Sequence, residues 1–395
     1  MKSNRIHPLQ GPDRVRKRPA VIFQAEDITG AQNAVGMLLE IFAAQAQLGH
    51  CKHLTVKQAH TQLEISADDR GLYLGQDTGD DSIWRSLFCE MFAGPLYAPE
   101  DSGYSFGLTD DCRHALFGDK QKADSIFLPQ DSNLGELYAI QCVCKYMDVT
   151  TNRGGIHSAL RFSQGHNLGG VCHVPTSDPN GTCFRFELDD GVFQQTLIPP
   201  AFFRKRLQEL AMLSPGLCCT YINHGVQETF CYEGGIAQYV TREGSMLPAF
   251  QNQLCAKGRE RYNRPEYEAC VQIALSYAPN AGQVKCLHNF RDLTCGGTHL
   301  TVLKSRLCRA FDQFFLVDGE EPFTFAELSP HLRIVLASFC TQRCTLWENG
   351  TRLSIQNQLI THMTQDAAGA LCDYVHTHRE ILQEMANAII RSRRK

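Results

Sequence analysis

The feature that most constrains the fold is a run of three short segments in which apolar and polar residues alternate, at 147–151, 156–162 and 182–188. Turn signals separate them, Asn152-Arg153-Gly154-Gly155 after the first and Asp178-Pro179-Asn180-Gly181 before the third. Alternation sends every second side chain to the same face, so these are successive antiparallel strands with one apolar face to cover. A cover stands earlier in the chain. Residues 30–48 carry Val35, Leu38, Leu39, Phe42 and Ala46 at helical spacing, which predicts an amphipathic helix. Residues 54–65 read as two further short strands, 68–81 as a Gly- and Asp-rich loop, and 137–144 as a second helix. Residues 201–213 form a third helix, ended by Ser214-Pro215-Gly216, and a hairpin follows across Asn223-His224-Gly225.

A connector at 242–248 marks a boundary. Beyond it, 269–277, 283–289 and 332–340 read as strands, 299–314 as a helix opened by Gly296-Gly297-Thr298, and 357–390 as one long C-terminal helix with a basic end. The chain thus alternates strands and helices in two domains, 1–241 and 242–395. Lys plus Arg is 38 against 42 for Asp plus Glu, which argues against a surface coated in positive charge but allows a local basic groove. The most apolar stretch, 35–48, is shorter than the ~20 residues of a membrane span, and the N-terminal residues lack the apolar core of a signal peptide. The expectation is a cytoplasmic protein with no membrane contact. Cysteine is frequent, at 18 residues, yet the close pairs Cys142/Cys144, Cys218/Cys219 and Cys340/Cys344 do not make the paired spacing of a structural zinc site. Most are expected to be reduced, small, half-buried side chains; a metal or redox role is the alternative.

Five strings in order carry a family resemblance: Val15-Arg16-Lys17-Arg18-Pro19; Gly49-His50-Cys51; the segment from Arg204 to Leu213 followed by Gly216; Phe230-Cys231-Tyr232-Glu233-Gly234-Gly235-Ile236; and Gly296-Gly297-Thr298-His299-Leu300. Together they resemble the ATPase and transducer half of the gyrase B family of type II topoisomerases. The resemblance implies an α/β fold: a GHKL-type (Bergerat) mixed-sheet sandwich over 1–241, then a transducer α/β domain with a left-handed crossover, an exception to the usual handedness. It also implies that the family's next domain, which binds metal and takes part in DNA cleavage, is not reached by this sequence.

The family's ATP chemistry uses a Glu as general base on the first helix, an Asn four residues later for Mg²⁺, an Asp in a DxGxG turn for adenine, and a glycine-rich phosphate loop. Counting back from Gly49-His50-Cys51, the base position falls on Met37 and the metal position on Ile41. Neither side chain can move a proton or offer Mg²⁺ an oxygen. Glu40, one turn from Met37, is the substitute base. With Arg70-Gly71 as anchor the adenine position falls on Ala67; a one-residue shift makes it Asp68. The phosphate loop falls on 132–137, where Gly135 is the remaining glycine and Glu136 opposes phosphate electrostatically. Arg70, Gly71, Arg153 and Thr182 match the pocket wall, and Arg352, in Gly350-Thr351-Arg352, replaces the Lys that reaches the γ-phosphate. The nucleotide-contacting set is therefore Asp68, Arg70, Gly71, Gly135, Arg153, Thr182 and Arg352, with no metal ligand.

Three explanations stay open: a different helix register with Glu40 as base, a chain that binds nucleotide without hydrolysing it, and a pseudo-ATPase kept for protein contact. On the last, no cofactor is expected; ATP and Mg²⁺ enter only where the site is competent. The resemblance implies a homodimer, or a heterodimer with a gyrase B-type subunit. An active subunit of a divergent topoisomerase is the second functional reading. A DNA-binding module is the third, drawing on Arg306, Arg309, Arg391, Arg393, Arg394 and Lys395.

Overall fold

A computed structural model describes residues 9–47, 49–76, 79, 81–90, 137–259, 266–340, 345–348 and 351–393. They divide into two compact units that meet in sequence at Cys231 and Tyr232.

In the first unit eight strands form one sheet: β1 (His53–Ala59), β2 (Gln62–Ala67), β3 (Cys144–Arg153), β4 (Ile156–Ser163), β5 (His166–Pro175), β6 (Gly181–Leu188), β7 (Cys218–Asn223) and β8 (Val226–Cys231). Their order is β5-β4-β3-β6-β2-β1-β7-β8. All neighbours are antiparallel except β1 and β7. The alternation predicted for residues 182–188 holds through β6, where Thr182, Phe184, Phe186 and Leu188 are buried. The opposite face is polar and laced with ion pairs, Arg185–Glu64, Lys57–Glu64 and Arg161–Asp148.

Among the described residues of this unit the helices are α1 (Asp13–Arg16), α2 (Pro19–Phe23), α3 (Ile28–Gln47), α4 (Ser82–Phe88), α5 (Leu137–Cys142) and α6 (Pro200–Leu213). Phe42 of α3 packs edge-on against Phe184 of β6, and Phe203 of α6 stacks on Tyr221 of β7. Every residue of α3 from Val35 to Gln45 is buried, as expected of a helix with packing partners on several sides.

The second unit holds a five-stranded sheet in the order β12-β11-β13-β10-β9, built from β9 (Phe250–Arg259), β10 (Glu266–Tyr277), β11 (Gln283–His288), β12 (Arg291–Asp292) and β13 (Leu332–Cys340). Central β13 is buried at all nine positions. It runs parallel to β11, which demands a crossover, and α8 lies in that connection. The helices are α7 (Gly235–Val240), α8 (Thr298–Phe315), α9 (Phe325–Leu328), α10 (Gln358–Ala367), α11 (Leu371–Thr377) and α12 (Arg379–Arg393), and β14 (Thr345–Glu348) pairs with β15 (Thr351–Ile355). The core joins Leu303, Leu307 and Phe311 of α8 to Val271, Ile273 and Leu275 of β10 and to Met385 and Ile389 of α12.

The compact units meet at Cys231/Tyr232, and α7 packs with β10 and β13. Several expectations need correction. The predicted C-terminal helix is three helices: the 3₁₀ turn Ala368–Ala370 interrupts it, at the poor helix former Gly369, and His378 caps α11 before α12 begins. Cys144 opens β3 instead of closing the preceding helix. Strands β5 and β9 and helix α7 have no counterpart in the sequence reading. Cys218 and Cys231, expected to be reduced, are joined in a disulfide across β7 and β8.

Candidate functional site

Of the residues predicted from sequence, Gly71, Arg153 and Thr182 lie at the ends of β2, β6 and β3, where Ala67, Thr182 and Thr151 stand side by side in register. The chain leaves β2 through Asp68 and Asp69. Leu63 and Ile65 of β2 point into the core, and Asp69 continues the same parity, at 4% exposure. Its carboxylate accepts the Thr182 hydroxyl at 3.0 Å and the Gly71 N–H at 3.2 Å. The Thr182 hydroxyl in turn accepts the Leu72 N–H at 3.1 Å. Burial pushes the Asp69 carboxyl up to about 6, against the pull of those two hydrogen bonds.

Gly71 has φ of +79°, and a Cβ there would lie 2.1 Å from the Asn152 carbonyl oxygen. Only glycine lets the two backbones meet so closely in that conformation. Arg153 locks the contact: its guanidinium donates to the Gly71 carbonyl at 2.9 Å and lies 5.3 Å from the centre of the Tyr73 ring. Thr151 donates to the Gly181 carbonyl at 3.2 Å. A cavity of about 170 Å³ adjoins this cluster, lined by Ser66, Thr150, Asn152, His157, Thr182 and Cys183 among others. That is smaller than the ~300–1,000 Å³ of ordinary ligand pockets.

Asp68 is turned elsewhere. It accepts the Lys52 and His53 N–H groups at 2.8 and 2.7 Å and pairs with the His53 ring at 2.6 Å. Partial burial works against its charge, but the His53 and Lys52 amides and the His53 ring hold its carboxyl below the usual range. The carboxylate beside Thr182 is Asp69, to which the sequence reading gave no role. Its signal was the inward parity of β2 carried two residues past the strand end.

On α3, Met37 is 1% and Ile41 4% exposed. Glu40 is taken up by an ion pair. Its carboxylate accepts from the Arg206 guanidinium of α6 at 2.5 Å, with Glu209 a second carboxylate 3.8 Å from the same guanidinium. Gly36, one turn before Glu40, faces the same guanidinium; a Cβ there would be 3.9 Å from Arg206 Nε. Glu40 is 2% exposed, so the predicted substitute base is a buried partner of Arg206.

The structure therefore brings together Gly71, Arg153 and Thr182, and adds Asp69, Thr151 and Tyr73. Arg70 is half-buried in the same turn. Gly135 and the rest of the predicted phosphate loop up to Glu136 lie outside the described residues. Arg352 lies on β15 in the second unit, across from Trp347. Among the described residues, no cluster of His, Cys, Asp and Glu could hold a metal ion, and no helix is long and apolar enough to cross a membrane.

No family model matches the chain. The DNA gyrase B protein of Thermotoga maritima is 24% identical over 317 residues, 78% of this chain and 46% of that protein. The DNA topoisomerase 4 B protein of Bacillus subtilis is 24% identical over 312 residues, 78% of this chain and 43% of that protein. The chain thus spans somewhat under half the length of these relatives. Among solved structures, the 43K ATPase domain of Thermus thermophilus gyrase B, in complex with an aminocoumarin, matches with a TM-score of 0.65 at 19% identity, covering 96% of this chain and 94% of that one. The fold is the one that solved gyrase B domains share. In sequence the chain is similar to gyrase B and topoisomerase 4 B proteins.

Proposed function

We propose that this chain is a gyrase-B-type fold that does not hydrolyse ATP and acts through protein contact, by pairing with itself or with a gyrase B-type subunit. One observation carries the reading. The α3 stripe where the resemblance requires a general base and a Mg²⁺ ligand holds Met37 and Ile41, and both are packed into the core. The nearest carboxylate, Glu40, is engaged by Arg206. Loss of a general base alone typically costs about 10²–10⁴ in rate. The donor set around α3 does not fit Mg²⁺-ATP, since Met and Ile offer the cation no oxygen. A mixed dimer with one such half would slow or retune a topoisomerase clamp.

A second reading, nucleotide binding without hydrolysis, is favoured by the buried Asp69–Thr182–Gly71 cluster, an acceptor–donor set of the kind that can recognise an adenine amine. Calorimetric titration with a non-hydrolysable ATP analogue plus Mg²⁺, beside an ATP hydrolysis assay, separates the two. Neither heat nor turnover is expected on the first reading. Heat without turnover, abolished by Asp69→Asn, establishes the second. Steady turnover refutes both. Protein contact is tested by mixing the chain with an active gyrase; if it neither co-purifies nor alters supercoiling, the partner proposal fails.

A further inference from the structure

Cysteine is the residue that the functional reading leaves unused. Fourteen free cysteines are spread over the described residues, and two cysteine pairs stand apart because each faces its partner directly across an antiparallel ladder. The first, Cys218 and Cys231, joins β7 to the edge strand β8 with a Cα–Cα separation of 4.4 Å, and it is closed. The second, Cys255 and Cys270, occupies the matching position at the edge of the other sheet, on β9 and β10, and it is open. Directly opposed residues on antiparallel strands share a face and lie at disulfide-compatible spacing.

The neighbours of the open pair hold it in register. On the same face, two residues to either side, Gln272 donates to Gln253 at 3.3 Å and Lys257 pairs with Glu268 at 3.5 Å. Val271, Ile273 and Leu275 point the other way, into the core, so this face of the hairpin is the polar one. The two thiols differ in access: Cys255 is exposed and Cys270 is 5% exposed.

We propose that Cys255 and Cys270 form a reversible dithiol–disulfide site, a redox modification site that fastens edge strand β9 to β10 as Cys218–Cys231 fastens β8 to β7. The oxidant is a low-molecular-weight disulfide of the glutathione type. The exposed Cys255 thiolate attacks one sulfur of that disulfide, forms a mixed disulfide and expels one small thiolate. The Cys270 thiolate then attacks Cys255 Sγ, the mixed S–S bond breaks, and the second small thiolate leaves. The protein loses two electrons and two protons, and both end on the two small thiols. Burial pushes the Cys270 thiol up from its ordinary value, which suits it to the second, intramolecular step rather than to the first. Both pairs adjoin one stretch of chain: β8 ends just before Tyr232, and β9 begins at Phe250.

The test is equilibration of the folded full chain in glutathione buffers of graded potential, followed by acid quenching, alkylation and peptide mass spectrometry. A linked Cys255–Cys270 peptide is expected to appear on oxidation and to vanish on return to reduced glutathione. Cys255→Ser abolishes the link, and Cys270→Ala arrests Cys255 as its glutathione adduct. Circular dichroism of each variant confirms that it is folded. Cys255 and Cys270 both remaining alkylatable in excess oxidised glutathione overturns the proposal. So does a stable Cys255–glutathione adduct in the unsubstituted chain, or linkage of Cys255 to any other cysteine.

Discussion

Replacing Glu40 by Ala separates a structural from a chemical role for that carboxylate. Glu40 is 2% and Arg206 8% exposed, so the substitution removes one partner of a buried ion pair. Such a loss costs about 3–5 kcal/mol, because the remaining charge stays out of water. Glu209, 3.8 Å from the same guanidinium, offsets part of this, which places the expectation near ~3 kcal/mol. For a unit of about 200 residues that is a fall of roughly 6–12 °C in Tm. The assay is urea and thermal unfolding of the single variant, of Arg206→Leu, and of the double variant Glu40→Met/Arg206→Leu. An apolar pair of similar volume recovers most of the loss, so the cycle should show strong non-additivity. A Tm for Glu40→Ala within about 1 °C of the unsubstituted chain would contradict the buried pair, on the scale of about 2–4 °C per kcal/mol. Abolition of a measurable ATP turnover with stability unchanged would make Glu40 a catalytic group, and the reasoning from α3 would fall with it.

Other outcomes follow from the same geometry. The Asp69 carboxyl rises to about 6 in the folded chain from 3.8. The folded state therefore binds the proton more tightly, and stability declines as pH rises from about 4 to about 6. The loss above that window is about 3 kcal/mol in order of magnitude, and Asp69→Asn should flatten the slope in urea titrations run across it. Glu327 shifts the other way, to about 2, because Arg393 holds its charged form with help from the Thr324 N–H and hydroxyl. Its contribution is present above about 4.5 and fades as pH falls toward 2; as a partly exposed pair it is worth ~1 kcal/mol, measurable as the change in urea midpoint of Arg393→Ala at pH 7. Gly71→Ala drives a Cβ into the Asn152 carbonyl at positive φ. It should cost well over about 1 kcal/mol in thermal unfolding.

The parts of this fold visible in the sequence were those whose burial has one period. Strand β6 buries a regular face and was found within a residue; helix α3 was found within two residues from its apolar spacing, although its middle is buried all round. Strand β5 was hidden because it is an edge strand, mostly exposed and carrying Gly169 and Gly170, so nothing imposes alternation on it. The C-terminal helices share one amphipathic pattern, and their breaks are local events at Gly369 and His378 that periodicity cannot register. The candidate site was half legible. Gly71, Arg153 and Thr182 emerged from their motif positions and do meet. Matching the motif at Arg70-Gly71 gave Ala67, or Asp68 after a one-residue shift, and passed over Asp69 because motif matching ignores which face of the strand each carboxylate inherits. Glu40 lies one turn from Met37 in sequence, yet its surroundings are set by Arg206, a residue 166 positions away that no local pattern connects to it.

The parallel seam between β1 and β7 has a consequence for how the first unit comes into being. Tyr221 reaches back across 163 residues to hydrogen-bond Gln58. During synthesis the β1–β2 hairpin emerges early, with its far edge unmet until the ribosome has released β7. Contacts of such long span slow folding, since the loop must close before any of its rewards are collected. A nascent chain stalled before β7 offers an open strand edge, the kind of surface on which chaperones act and aggregates start. The seam that completes the sheet is thus also its point of greatest exposure while the chain is being made.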